Sequence, residues 1–589
     1  MTAAEDSALA DRLWGLPEPT PVPWRSGPWS LEIRGDELAD LRYEGVLVLR
    51  AVRAVARDRD WGTVPVEITD LGSDPTSLTL GLRMSGLGAD LEGTLRVVTE
   101  DGSLTVTFDA VSHTDFLRNR VGLVVLHPPT VAGAPLAVVH PDGTRDDVFF
   151  PREISPHQPA FDIAGLDWPA QGIDVSLRFT GEVFEMEDQR NWTDASFKTY
   201  STPLALPFPV LLPAGTTIAQ SLSLRAVGSG SAAVDVGDAT VDLVDTGAEV
   251  PTIALGASTA PDPAPSDLPP LGSALLVELD LRTPSWRAAL DRAVLDAAGL
   301  PLDVRIVAPE DAELGAVADT IRPLQPIRVA VYDAATHVSE RGLVAQLRAA
   351  MADSHAAILG GARSHFTELN RTHERLSADV DAITYSVTPQ MHATERSQLV
   401  ESIAMQREVA INAVRIAGGR PVVVGPITLK ARFNAVATSG GPGAPADLSA
   451  GYGAQLFDAT DPRQESTALA AWTVASAAAS SVAGVSTLVY FERWGPRGVV
   501  DAAGRPYPVL AAIEGLAALS GLPLLTAASP GRDALWAIGA RRGETVELVV
   551  ANLGATSRSV RVAAPGMVSH ELDVPPLGIA RATLAAATS

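Results

Sequence analysis

Seven short apolar runs alternating with helical stretches constrain this chain more than anything else in its sequence. They occupy residues 274–281, 304–307, 327–332, 356–359, 382–387, 422–427 and 486–491, with 522–527 as an eighth. Helix candidates between them include 285–298, 340–351 and 394–417. The last would place Val400, Ile403, Ala404, Ile411 and Val414 on one face and stop at Gly418-Gly419. Parallel strands need a crossover, so this alternation predicts a parallel sheet with helices outside it. Seven or eight such units within residues 273–528 fit a closed (β/α)8 barrel better than an open doubly wound sheet. No GxGxxG or P-loop follows any strand, which removes the usual nucleotide fingerprints.

The flanking regions have another rhythm. Short alternating strands recur across residues 26–250, punctuated by Glu100-Asp-Gly102 and Pro141-Asp-Gly143 turns, and predict an antiparallel sandwich. Alternation returns after Asp533. The expected fold is therefore a multidomain α/β plus β chain. It has an N-terminal antiparallel β-sandwich (1–258), a proline-rich linker (259–272), a central TIM-like barrel (273–528) and a small C-terminal β-domain (529–589). The Gly/Pro-rich link from Ile427 to Asp461 reads as a loop on the catalytic face, of the kind that acts as a lid.

Charge and composition narrow the function classes. A net charge of −25 over 589 residues argues against nucleic acid or an anionic membrane as partner, since both need an excess of Lys and Arg. Without cysteine there is no disulfide, thiolate nucleophile or Cys-based metal site. The first fifteen residues are acidic where a secretory leader is basic, and no apolar core follows; the expected location is cytoplasmic. No cofactor is expected. His365, Glu368 and His373 do not form an HExxH pair, so no metal site is expected either. No GxSxG elbow supports a serine triad.

Barrel enzymes carry their chemistry at the carboxyl ends of the strands, so those ends supply the candidates. The run 486–491 delivers Glu492, with Tyr490 inside it and Trp494 just beyond. Glu492 is either catalytic or simply solvated or paired with Arg493. After the run 356–359 come Glu368 and Asn370; after 382–387, Gln390 and His392; after 422–427, Arg432; and Asp333 closes 327–332. Counted as strands four and seven, the runs before Glu368 and Glu492 would place two carboxylates as retaining glycosidases do, about 5–5.5 Å apart. Glu368 has a second reading, as a helix cap or a partner of Arg371.

One segment stands apart. Residues 184–200, FEMEDQRNWTDASFKTY, hold six charged side chains together with Asn191, Trp192 and Tyr200, and almost nothing aliphatic. It cannot be core. It is either a loop laced by its own ion pairs or a polar wall, with Trp192, against a polyhydroxylated ligand.

Several blocks together resemble the D-apionate lactonase family, enzymes of apiose catabolism. They are NRVGLVVLHP (119–128), FPREISPHQP (150–159), the segment 184–200, FTELNR (366–371), PQMHA (389–393), GPITL (425–429) and YFERWGPRG (490–498). The resemblance implies a hydrolase that opens a sugar lactone, D-apionolactone to D-apionate. A lactone's planar carbonyl carbon is close in shape to the transition state of glycoside hydrolysis, so a carboxylate pair could serve either task. In the lactone reading Glu492 or Glu368 activates water, while His392, Gln390 or Arg432 donates to the developing oxyanion. The rival readings are a retaining glycosidase, with Glu368 as acid/base and Glu492 as nucleophile, and a non-catalytic carbohydrate-binding protein. In each, the partner is a small sugar lactone or glycoside.

Overall fold

The structure, a computed structural model, describes residues 3–228, 239–266, 268–437, 447–449, 451–453, 455 and 460–587. Residues 438–446, 450, 454 and 456–459 of the link expected to act as a lid lie outside them. Two nine-stranded antiparallel sheets form the N-terminal sandwich. Its core is built from the inward half of each alternating strand, for example Leu78, Leu80, Leu82 and Met84 of one strand against Leu123 and Val125 of the facing sheet.

Eight parallel strands then close a barrel: Thr252–Gly256, Leu275–Asp280, Leu302–Ala308, Arg328–Asp333, Ala357–Gly361, Ala382–Val387, Val422–Ile427 and Val485–Glu492. Two assignments differ from expectation. Thr252–Gly256, which precedes the proline-rich segment, pairs with both Leu275–Asp280 and Val485–Glu492 and completes the ring. The expected eighth strand, Pro523–Ala527, instead joins a seven-stranded sheet with the C-terminal strands. Residues 259–272 are therefore the loop from barrel strand one to strand two, and no linker separates sandwich from barrel at that point. Thr240–Glu249 also enters the C-terminal sheet, beside Pro523–Ala527 and Arg558–Ala563.

The helices follow the packing. Ala468–Ser480 is buried on every side, because one face meets the barrel and the other meets Leu535–Arg542 and Thr545–Asn552 of the C-terminal sheet. Alanine makes this possible, since it lets backbones approach on both faces. No helix is long and apolar enough to cross a membrane among the described residues. Arg396–Ala417 turns a different face inward from the one expected. Ile403 is buried, but Ala404 and Ile411 are exposed, while Gln398, Ser402, Gln406 and Asn412 lie inside. Its polar residues are inward because each meets a partner there, as when Asn412 Oδ1 accepts from the Ile154 amide of the sandwich at 3.2 Å.

Candidate active site

One cavity of about 560 Å³ lies where the sandwich faces the barrel mouth, a size suited to a small ligand. The sandwich sheet provides its floor through strand register. Across four adjacent strands Arg53 sits opposite Val124, Val124 opposite Tyr200, and Tyr200 opposite Glu185. In neighbouring rows Leu126, Lys198 and Glu187 align, and Arg57 faces Arg120. The alternate residues, such as Ala54, Leu123, Val125 and Phe197, point into the sandwich core. The barrel closes the cavity with the loops after strands six and seven, which bring Gln390, His392 and Lys430.

The segment 184–200 forms one wall. It is almost entirely buried, contrary to the expectation that it could not be core. Burial is tolerated because its charges are matched. Arg190 pairs with Asp188 at 2.7 Å and donates to the carbonyls of Pro151, Arg152 and Glu153. Lys198 pairs with Glu187 at 2.6 Å, and Trp192 Nε1 donates to Glu187 at 3.2 Å. Burial alone would raise the Glu187 carboxyl, but Lys198, with His392 and Arg371, outweighs it and holds the group down at about 2.

At the end of this wall Thr193 takes the left-handed conformation, φ 65°, and donates to the Thr388 carbonyl across the domain boundary. A β-branched residue rarely adopts that conformation. Here it turns the next residue, Asp194, towards the barrel. Asp194 accepts from Gln398 Nε2 at 2.6 Å through one oxygen and bonds His392 Nδ1 at 2.7 Å through the other. A carboxylate only accepts, so the proton sits on Nδ1 and Nε2 is the basic nitrogen. Nε2 has no partner among the described residues, and the ring, 20% exposed, lines the cavity edge-on to Trp192 at 5.8 Å. An imidazole held in one tautomer by a buried carboxylate, with its other nitrogen open to a cavity, has the geometry that general-base chemistry requires.

The lining is also basic. Arg50, Arg53, Arg57, Arg120 and Lys198 come from the sandwich, Arg371 and Lys430 from the barrel; the described lining itself holds three carboxylates, Glu37, Glu187 and Asp194, while Glu401 and Asp36 pair with Arg50 and Arg53 from behind it. In a chain of net charge −25 this is a local reversal of sign, and it favours an anionic ligand or transition state.

The barrel's own centre is different. Glu278 pairs with Arg363 at 2.6 Å and Arg432 at 2.9 Å, while Glu492 pairs with Arg497 at 2.9 Å and accepts from Thr259 Oγ1 at 2.7 Å. Burial raises the Glu278 carboxyl, yet the two arginines hold it well below the usual range. Glu278, Arg432, Thr259, Glu492 and Arg497 line a hollow of about 50 Å³, with room for little more than a water molecule.

A curated D-apionate lactonase of Brucella anthropi is 30% identical over 567 residues, covering 86% of this chain and 88% of that protein. Family models for the D-apionate lactonase N-terminal domain and TIM barrel domain match residues 10–229 and 262–521. The chain belongs to the D-apionate lactonase family. Among solved structures, an endoxylanase from Clostridium papyrosolvens is 8% identical with a TM-score of 0.38, covering 60% of this chain and all of that one. A galactose mutarotase-like protein from Lactobacillus casei is 10% identical with a TM-score of 0.25, covering 35% of this chain and all of that one.

In this family member the candidates read from the sequence separate into three groups. Trp192, Gln390 and His392 line the domain-interface cavity, although the Gln390 amide is already engaged by Asp461 and Arg463. Glu492 and Arg432 belong to the ion-paired barrel centre. The others are structural. Glu368 accepts from Ser364 Oγ at 2.6 Å and from the His365 amide at 3.0 Å, capping helix Phe366–Thr372, and it lines neither cavity. Asn370 ties Asn191 and the Ile154 carbonyl to that helix. Tyr490 donates to Ser476, Trp494 donates to Asp296, and Asp333 accepts amides of its own turn.

The expected convergence of Glu368 with Glu492 therefore does not occur. With Thr252–Gly256 as strand one, their strands are five and eight, and the carboxylates that share a hollow with Glu492 are Glu278 and Asp280. The sandwich residues Arg57 and Arg120 were not among the candidates, because strand arginines carry no signal until register sets them on one face. Asp194, although inside the segment singled out, had no visible tie to His392 across 198 positions.

Proposed function

We propose that this protein hydrolyses a sugar lactone, D-apionolactone to D-apionate, in the cavity between sandwich and barrel. The reading rests on one observation, the Asp194–His392 dyad whose free Nε2 opens on that cavity; family membership supplies the substrate class. Water gives a proton to His392 Nε2 as its oxygen attacks the lactone carbonyl carbon. Charge passing to the carbonyl oxygen is stabilised by the cationic lining. The tetrahedral intermediate then collapses, the bond to the ring oxygen breaks, and that oxygen takes the proton back from the His392 imidazolium. Asp194 takes up no proton; it fixes the tautomer and stabilises the imidazolium between the two transfers.

Two observations favour the interface over the barrel centre. The 50 Å³ hollow cannot hold a five-carbon lactone, and its three carboxylates, Glu278, Asp280 and Glu492, are each paired with an arginine. The test is a pH-stat assay of His392→Gln and Glu492→Gln on D-apionolactone. The dyad reading expects His392→Gln to lose at least about 10²-fold in kcat, the ordinary contribution of a general base. Glu492→Gln should stay within tenfold of wild type wherever it is folded. The opposite order would move the chemistry to the barrel centre.

A further inference from the structure

The floor of the same cavity carries two arginines that no close ion pair engages among the described residues, although Glu187 and Asp194 attract Arg57 from a distance. Arg57 and Arg120 face each other directly across the ladder between Val46–Asp58 and Phe116–His127, and both line the cavity. Like charges in that relation destabilise a sheet. Neighbouring cations are neutralised: Arg50 by Glu37 and Glu401, Arg53 by Asp36 and Glu37. No carboxylate pairs with Arg57 or Arg120 among the described residues.

Several of their donors are also left without a partner. Arg120 is 5% exposed, and its Nε and Nη2 have no hydrogen-bond partner. Nη1 donates to its neighbour's carbonyl, at Asn119, at 2.6 Å. The guanidinium is packed between Trp61 and Phe208, 5.1 and 5.3 Å from the ring centres, which fixes its plane. Arg57 donates once, to the Trp61 carbonyl at 3.0 Å. Burial, with Arg53 beside it, lowers its pKa to about 10, so it stays charged at neutral pH. A buried guanidinium with unmade hydrogen bonds costs stability, a cost that a planar carboxylate reaching the Nε and Nη2 fork would offset.

We propose that Arg57 and Arg120 form a carboxylate-binding subsite for an open-chain aldonate, contributed by the N-terminal sandwich to the active cavity. This rests on the lactonase reading, since ring opening is the step that turns a neutral ester into a carboxylate. The subsite then binds the product acid more tightly than the neutral lactone. It makes the aldonate a competitive inhibitor whose affinity falls as salt rises.

Isothermal titration of the full-length protein with sodium D-apionate, and with neutral erythritol for comparison, tests it. Wild type should bind the aldonate, and that affinity should weaken severalfold between 50 mM and 500 mM NaCl while erythritol shows no such dependence. Arg120→Met and Arg57→Met, which keep the apolar stem, should each weaken aldonate binding at least tenfold; Arg120→Lys should recover most of it. The proposal is overturned if wild type does not bind the aldonate, if the Met variants bind it as well as wild type, or if they lose erythritol and aldonate equally. The salt dependence of wild type decides the matter should either Met variant fail to fold. Lactone turnover is scored separately. Arginine-dependent aldonate binding without turnover would retain the subsite and discard the hydrolase reading, whereas turnover with arginine-independent binding would do the reverse.

Discussion

Replacing Asp194 by Asn is the sharpest perturbation of the proposed chemistry, because the structure dictates how the new amide would turn. Gln398 Nε2 donates to the Pro389 carbonyl at 2.9 Å as well as to Asp194 at 2.6 Å. A carbonyl can only accept, so the Gln398 amide cannot flip. The Asn oxygen must therefore face Gln398, and its NH2 must face His392. That forces His392 Nδ1 to accept, moves the ring proton to Nε2 and leaves no basic nitrogen towards the cavity. The carboxylate's attraction for the imidazolium is lost as well. With charge centres about 4 Å apart and an effective dielectric near 20, that is about 4 kcal/mol, or about 10³-fold in rate. The expected result is a fall in kcat of about 10³ on D-apionolactone with KM changed by less than about threefold and an unfolding midpoint close to wild type. Asp194→Asn turning over within fivefold of wild type would refute the dyad.

Other substitutions separate structural from chemical roles. Glu368→Ala removes a helix cap and should cost about 1 kcal/mol in urea unfolding with kcat within a few-fold; lost activity without lost stability would assign Glu368 a chemical role. Glu492→Gln leaves Arg497 buried without its partner and should destabilise by about 3 kcal/mol, read as a lower denaturation midpoint; an unchanged midpoint would mean the pair is not formed. His127, in the sandwich core, is pushed down to about 3 by burial, against about 6.5 when unfolded. Above pH 6.5 both states are neutral there. As pH falls from 6.5 towards 3 the unfolded state binds one more proton, and stability drops by about 1.4 kcal/mol per unit. His127→Met should remove one proton from the pH slope of unfolding between pH 6 and 4, and an unaltered slope would show that His127 is not held neutral.

The barrel was legible in the sequence because buried parallel strands are continuous apolar runs, and seven of the eight stood out for that reason. Thr252–Gly256 escaped because it is five residues long and stands before a proline-rich stretch that reads as a boundary. Pro523–Ala527 was misplaced because an apolar run after a barrel helix looks alike whether it closes the ring or joins another sheet. The face of Arg396–Ala417 was misjudged for a related reason: hydropathy cannot anticipate Asn412 finding the Ile154 amide. Of the site, Trp192 and His392 were visible from residue type and place. Arg57, Arg120 and Asp194 were not, since their roles arise from cross-strand register and from contacts between distant segments.

The path of the chain through Thr240–Glu249 has a practical meaning for anyone cutting this protein into pieces. That strand is an interior member of the C-terminal sheet, yet it is encoded ahead of the whole barrel. A fragment started at the prolines of 259–272 would lose both the first stave of the barrel and a middle plank of the last sheet, exposing two raw edges at once. Excision should begin upstream of Thr240, and even then the product would lack the floor of the proposed active cavity. The smallest unit able to turn over substrate is accordingly nearly the entire polypeptide.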